Sequence, residues 1–173
     1  MYKGKYPAKR YKHTLSFTNE AVSKEEKILD LGTLNPFSEI LIKEGYNVTN
    51  TKGEDLDLET DVVKTEAYDV VTAFEILEHL VSPFNIIKDI QAKKLVASIP
   101  LRLWFAPAYR SKTDEWDRHF HEFEDWQFDW LLEKAGWRIV KRKKFTNPVK
   151  KIGIRPILRW FTPRYYLVYA VRD

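Results

Sequence analysis

An α/β sheet, parallel for most of its length, is the fold class this sequence predicts, and three observations carry the prediction. Short apolar strands take turns with helix-length amphipathic segments along the chain, the alternation from which parallel sheets are built. YDVVTAF (68–74) is β-branched and nearly continuous, as a central strand buried on both faces should be. WRIVKRKKF (137–145) and YYLVYAVR (165–172) are strand-like and separated by a hairpin-like insertion, which predicts an antiparallel edge.

Each element has a local reason. KILDLG (27–32) is a short apolar strand, and Asn35 and Pro36 then open a helix as N-cap and first helical residue. Ile40, Leu41 and Glu44 continue it until Gly45 supplies the stop. YNVTNT (46–51) reads as a second strand and EDLDL (54–58) as a short third. Ser82 and Pro83 start a helix whose Ile86, Ile87 and Ile90 share one face, and KLVASIP (94–100) is a fifth strand. Phe128, Leu131, Leu132 and Ala135 repeat at helical spacing before Gly136, and RPILRWF (155–161) is a short helix stopped before Pro163.

The 173 residues make one domain, with 1–26 as an N-terminal arm and helix, 101–125 as a loop on the ligand side and 146–164 as an insertion before the last strand. A hydrophobic fraction of 44% and an aromatic fraction of 14% favour a folded globule over disorder. No apolar run reaches the roughly 20 residues that a membrane span needs. MYKGKYPAKRYKH has no apolar core region and does not read as a secretory signal. Zero cysteines exclude disulfides and thiolate chemistry, and this composition suits the cytoplasm. The net charge of +4 is unevenly spread: acids dominate from Glu54 to Asp89, and none occurs between Arg138 and Arg172. Such asymmetry fits an anionic partner or, more simply, solvated strands and loops. Aromatic and basic residues interleave in MYKGKYPAKRYKH and in RPILRWFTPRYY, a pattern that can stack bases or lie on lipid, although an arm or a packing element is the plainer reading.

In open α/β sheets ligands bind outside the carboxyl ends of the strands. Those ends bring together Asp30 to Thr33, then Asn50 to Lys52, then Asp55 and Asp57, then Phe74 and Glu75. So many acids would repel a pyrophosphate, whereas they suit a ligand carrying an amino group and a ribose. Neither a GxGxxG loop after the first strand nor a GxxxxGK[ST] loop anywhere is present, which disfavours a dinucleotide oxidoreductase. The bland alternative is that these acids cap helices and turns.

ILDLG, YDVVTAFEILEHLVSPFNIIKDI, KKLVASIP and HFHEFEDWQFDWLLEKAGWRIV, in that order and spacing from about residue 27 to 145, resemble the class I S-adenosylmethionine-dependent methyltransferases, and within them the type 11/type 23 group that includes ubiquinone-biosynthesis O-methyltransferases. The resemblance implies a Rossmann-like, seven-stranded, mostly parallel α/β sheet with helices on both faces and an antiparallel C-terminal edge strand. It implies S-adenosylmethionine as cofactor and transfer of its methyl group, at oxygen by preference, to a small-molecule or lipid-like acceptor. Carried over by position, Asp30, Gly32 and Thr33 would surround the methionine part, Asp57 and Leu58 would flank the adenine, and Phe74 and Glu75 would line the sulfonium region. Glu78 and His79 match the family's EH pair at the mouth of the active site, and His119, His121 and Phe123 match its HxHEF stretch beside the acceptor.

The chain departs from that pattern in its cofactor loop, where Leu34 and Pro36 replace glycines, and at the end of the second strand, where Asn50, Thr51 or Lys52 stands in place of the acid that takes the ribose hydroxyls. Asn50 and Thr51 can still hydrogen-bond a ribose, whereas Lys52 cannot accept from it. Gly32 remains where the backbone turns most sharply, and a zwitterionic methionine end needs less close an approach than a pyrophosphate does. His79 is the candidate general base, with His119 and His121 next, because an imidazole titrates in the range where a hydroxyl proton can be taken. Asp117, His119 and His121 alternate and on a strand would face one way as a metal trio. The acceptor-orienting reading of both histidines is preferred, so no metal is expected. The rival function is a binding or scaffold module that keeps this fold without turnover.

Overall fold

The computed structural model describes residues 7–149 and 152–173. The start of the arm, 1–6, and residues 150–151 of the insertion lie outside them. In chain order the elements are α1 (Ala8–Ala21), β1 (Lys27–Asp30), α2 (Pro36–Lys43), β2 (Asn47–Asn50), β3 (Val70–Phe74), α3 (Pro83–Asp89), β4 (Lys94–Pro100), α4 (Asp125–Lys134), β5 (Arg138–Thr146), α5 (Ile154–Phe161) and β6 (Pro163–Val171). Single 3-10 turns at Thr60–Val63 and Leu77–His79 complete the set. No helix among the described residues is long and apolar enough to cross a membrane.

The α/β class is present, with one mixed sheet in the order β2-β1-β3-β4-β6-β5. β2, β1, β3 and β4 are parallel, while β6 runs antiparallel to both β4 and β5. Two expectations need correction. The sheet has six strands among the described residues and not seven, because EDLDL does not pair with a neighbour. Asp55 folds that segment into a turn: its Oδ1 accepts from the amide of Asp57, and its carbonyl accepts from the amides of Leu58 and Glu59. Such local bonding to backbone competes with a strand ladder. The C-terminal strand is antiparallel as expected but is not the edge. β6 lies between β4 and β5, and the basic, mostly exposed β5 takes the outer position.

Period-two alternation sorts the strand residues to two faces. Leu29, Val71, Leu95 and Ala97 meet α3 and α4 through Ile86, Ile87, Ile90, Phe128 and Leu132. Ile28, Val70 and Val96 meet α1 and α2 through Phe17, Phe37 and Leu41. β3 is buried from Val70 to Ala73, the fate expected of a β-branched run covered on both sides. Asn35 caps α2 as the sequence indicates, its Oδ1 accepting from the amides of Phe37 and Ser38 at 2.9 and 3.1 Å. Ser82 gives α3 no such side-chain bond; Asp57 holds the chain just before that helix, accepting from the amides of Val81 and Ser82 at 2.8 and 2.7 Å.

One contact on the α1 face is expected to make stability depend on pH. His13 packs against the ring of Phe145, with centroids 4.5 Å apart. Burial, followed by the charges of Lys143, Lys9 and Lys12, holds its pKa below the ordinary histidine value. Below about pH 6.5 the unfolded chain therefore binds more protons at this residue than the folded chain, so its contribution to stability is lost as pH falls. His13→Gln is expected to show a smaller drop in melting temperature between pH 7.5 and 5.5 than the wild type. Equal drops would remove His13 as a source of acid sensitivity.

Candidate functional site

A cleft of about 570 Å³ opens at the carboxyl ends of the parallel strands. Its floor is Asp30 to Thr33 after β1, Glu54 to Asp57 in the turn that replaces the third strand, and Phe74 to Ile76 after β3. Its walls come from distant parts of the chain: Arg10 and Tyr11 of α1, Tyr109, Trp116 and His119 of the 101–125 loop, and Arg164 and Tyr165 of β6.

Asp30 organises the first loop instead of facing solvent. It is 2% exposed, and its carboxylate accepts from the hydroxyls of Thr72 (2.6 Å) and Ser38 (2.7 Å) and from Nδ2 of Asn50 (3.0 Å). Burial raises its pKa, and these three donors act in the opposite direction. Nδ2 of Asn50 also donates to the Gly32 carbonyl at 3.1 Å, and the Gly32 amide donates to Oγ1 of Thr51 at 2.8 Å. The loop is thereby tied to the end of β2. Gly32 has φ 107°, a conformation that a side chain would strain, and Ile76 Cδ1 would lie 3.4 Å from an added Cβ. Leu34 is 61% exposed, and neither Leu34 nor Pro36 lines the cleft. The glycine-poor entrance leaves the hollow open.

Glu75 sits directly after β3 with φ 54°, a left-handed conformation that costs a non-glycine residue roughly 1–2 kcal/mol. Such strain at a strand end marks a place where geometry is held for a purpose. Its Oε1 accepts from Ser98 at 2.9 Å, and its Oε2 pairs with Arg10 Nη1 at 3.2 Å. The pair is mostly buried, with side chains 19% and 13% exposed. Burial raises the pKa of Glu75 while Arg10 opposes it. Arg10 also lies over the ring of Tyr165, 5.5 Å from its centroid.

On the other side of the cleft, the turn Leu77–His79 carries Glu78 and His79. The 101–125 loop is pinned to this turn because the amides of Phe120 and His121 both donate to the Glu78 carbonyl, at 2.8 and 3.2 Å. His79 Nδ1 donates to the carbonyl of Arg118 at 3.0 Å; a carbonyl can only accept, so the lone pair of the neutral ring is on Nε2. Nε2 is 3.8 Å from Oε1 of Glu78. His119 stands edge-on to His79 with ring centroids 4.6 Å apart, and burial followed by the proximity of His79 lowers its pKa to about 4. Glu78 is 1% exposed, and burial, then the neighbouring Glu75, pushes its pKa well above the usual range.

The cleft thus brings together Asp30, Gly32, Thr33, Asp57, Phe74, Glu75, His79 and His119 of the sequence-predicted set. Three residues of that set do not line it. Leu58 is 82% exposed because the turn at Asp55 points it outward, and Leu56 occupies the buried position. Asn50 directs its amide nitrogen to Asp30, Gly32 and Ser38. His121 places Nε2 3.1 Å from the carbonyl of Val81 and holds the loop in place. The trio Asp117, His119 and His121 does not converge, since this segment is not a strand: Asp117 pairs with the Tyr109 hydroxyl while His121 faces Val81. Arg10, Tyr109, Trp116, Arg164 and Tyr165 line the cleft without any motif that marks them; tertiary packing alone puts them there. Glu78, His79 and His119 are the one Glu/His group among the described residues able to hold a metal ion.

No protein-family model matches the chain, and no curated protein matches it by sequence. Solved structures do match by shape. An S-adenosylmethionine-dependent methyltransferase from Archaeoglobus fulgidus superposes with a TM-score of 0.67 at 15% identity, over 96% of this chain and 95% of the other. A chain of the complex between the Haloferax volcanii Trm112 methyltransferase activator and its methyltransferase partner gives 0.67 at 12% identity, over 96% and 91%. The 1,6-didemethyltoxoflavin-N1-methyltransferase of Burkholderia thailandensis, solved with bound 1,6-didemethyltoxoflavin and S-adenosylhomocysteine, gives 0.60 at 13% identity, over 94% and 78%.

Proposed function

On the class I methyltransferase fold that this chain has, we propose a site for S-adenosylmethionine and transfer of its methyl group to a small-molecule or lipid-like acceptor, by preference to an oxygen. The observation that carries the reading is the Arg10–Glu75 pair inside a cleft bordered by the open Gly32 loop. A guanidinium and a carboxylate, mostly buried and side by side, complement the carboxylate and ammonium of an amino-acid end. The volume lies within the range of about 300–1,000 Å³ usual for cofactor clefts.

S-adenosylmethionine bound there supplies an electrophilic methyl group on a cationic sulfur. Arg10 and Glu75 would hold the amino-acid end, the Gly32 loop would give it backbone contact, and Asp55 and Leu56, which line the same cleft, would face the adenine edge. Asp57 keeps a supporting role through its bonds to the chain entering α3. The acceptor would enter between Tyr109, Trp116, His79 and His119, and Nε2 of His79 would take its hydroxyl proton as the oxygen gained the methyl group and the methyl–sulfur bond broke, leaving S-adenosylhomocysteine. Most of the acceleration comes from holding the two reactants in line.

A second reading, a module that binds without turnover, draws support from β2, where no acid stands ready for the ribose and Asn50 turns its amide inward. Calorimetry with S-adenosylmethionine, S-adenosylhomocysteine and NAD separates the two. Binding of the first two alone is expected. No binding of any of the three would replace the enzyme by the module.

A further inference from the structure

We propose that Glu78, His79 and His119 form a binding site for one divalent transition-metal ion. The three residues each offer one ligand atom, and these atoms all lie within 4.8 Å of one another. Two independent observations point to a missing partner there. Oε2 of Glu78 is buried in a side chain 1% exposed and has no hydrogen-bond partner among the described residues. Nδ1 of His119 is likewise buried and unpartnered. A buried carboxylate oxygen without a donor is costly, and native structures rarely tolerate it. Two such atoms, on two residues whose ligand atoms cluster within 4.8 Å, are explained together by a bound cation.

The surroundings are those of a ligand set. His79 donates its Nδ1–H to the Arg118 carbonyl, which fixes the ring and turns the Nε2 lone pair toward Glu78, the outer-shell arrangement usual for metal-bound imidazoles. His119 arrives on a separate loop, yet the two backbone bonds to the Glu78 carbonyl lock that loop to the turn without using any of the three ligand side chains. Metal–nitrogen and metal–oxygen bonds of about 2.0–2.2 Å place tetrahedral ligands roughly 3.4 Å apart, so the side chains need to close by about 1.4 Å at most. Two imidazoles and one carboxylate suit zinc, iron(II), cobalt(II) or nickel(II) better than calcium or magnesium, which prefer oxygen. All three residues line the cleft, so an ion held by them would be reachable from it. There an ion would acidify a bound hydroxyl. The His79 lone pair is then committed to the ion, and its role as a base belongs to the metal-free chain. Ion binding itself does not depend on the cofactor reading.

The test uses the full-length chain, stripped with a chelator and without S-adenosylmethionine. Zinc(II) titrated by calorimetry is expected to bind at one ion per chain with micromolar or tighter affinity, and cobalt(II) to give visible absorption bands that zinc displaces. Glu78→Gln and His119→Ala are each expected to weaken binding at least about tenfold. His13→Gln, at a residue that does not line the cleft, is expected to bind as the wild type does. Because Glu78 is buried, circular dichroism accompanies each variant, and His79→Ala replaces Glu78→Gln if the latter does not fold. Failure of the stripped wild type to bind either ion below about 100 μM overturns the proposal. So does wild-type affinity in folded His119→Ala.

Discussion

Asp30→Ala is expected to lose about 3–5 kcal/mol of unfolding free energy, the range for removing one partner from a buried charged network. The carboxylate accepts from Thr72, Ser38 and Asn50, all drawn from different elements, so its removal strands three donors beside a new void. Each stranded donor costs on the order of 1–3 kcal/mol. One effect runs the other way: burial is the largest influence on Asp30 and disfavours its charge, so the variant recovers that desolvation. The loss of three hydrogen bonds outweighs this recovery because the donors are themselves buried or nearly so, with Thr72 and Ser38 both 0% exposed. Asp30→Asn keeps the shape but meets the Asn50 and hydroxyl donors with a donor of its own at one position, and a loss about half as large is expected. Urea titrations followed by tryptophan fluorescence measure both. An Asp30→Ala chain within about 1 kcal/mol of wild type would mean that the network is not what holds the β1 loop to β2.

The legible part of the sequence was the part whose signals are local. Asn35-Pro36 announces a helix start, because a side-chain oxygen two or three residues from free amides needs no help from the rest of the fold. Gly136 ends α4 for the same kind of reason. EDLDL misled because apolar Leu56 between acids alternates as a strand does, while the deciding interaction is the Asp55 side chain on the backbone just beyond it. The place of β6 was hidden as well. That strand pairs with β4 across an interval that includes α4, β5 and α5, and only its long buried face from Tyr166 to Val168 says that it is internal. In the site, the residues that follow strands were readable because the sheet edge assembles them in order. Arg10 belongs to a helix with no visible link to Glu75, 65 residues away, and Arg164 adjoins an insertion that reads as packing. Such pairings are made by tertiary contact, and no spacing rule exposes them.

The Arg10–Glu75 pair gives the second large effect. Arg10→Ala is expected to weaken S-adenosylmethionine binding by at least about 30-fold, the equivalent of roughly 2 kcal/mol for a lost charge-assisted contact in a partly buried site. The loss has two sources. The amino-acid carboxylate loses its partner, and Glu75 loses the cation that now opposes its burial and its repulsion from Glu78. Glu75→Gln keeps the acceptor for Ser98 but removes the charge, so it tests the ammonium contact alone. If Glu75 holds the ammonium, S-adenosylmethionine and S-adenosylhomocysteine suffer equally, since both carry that group. If Glu75 faces the sulfonium, only the first suffers. Calorimetry with the two ligands on both variants reads the difference directly. A folded Arg10→Ala chain that binds both ligands as the wild type does would detach the pair from the cofactor. The strained φ of Glu75 would then need another purpose.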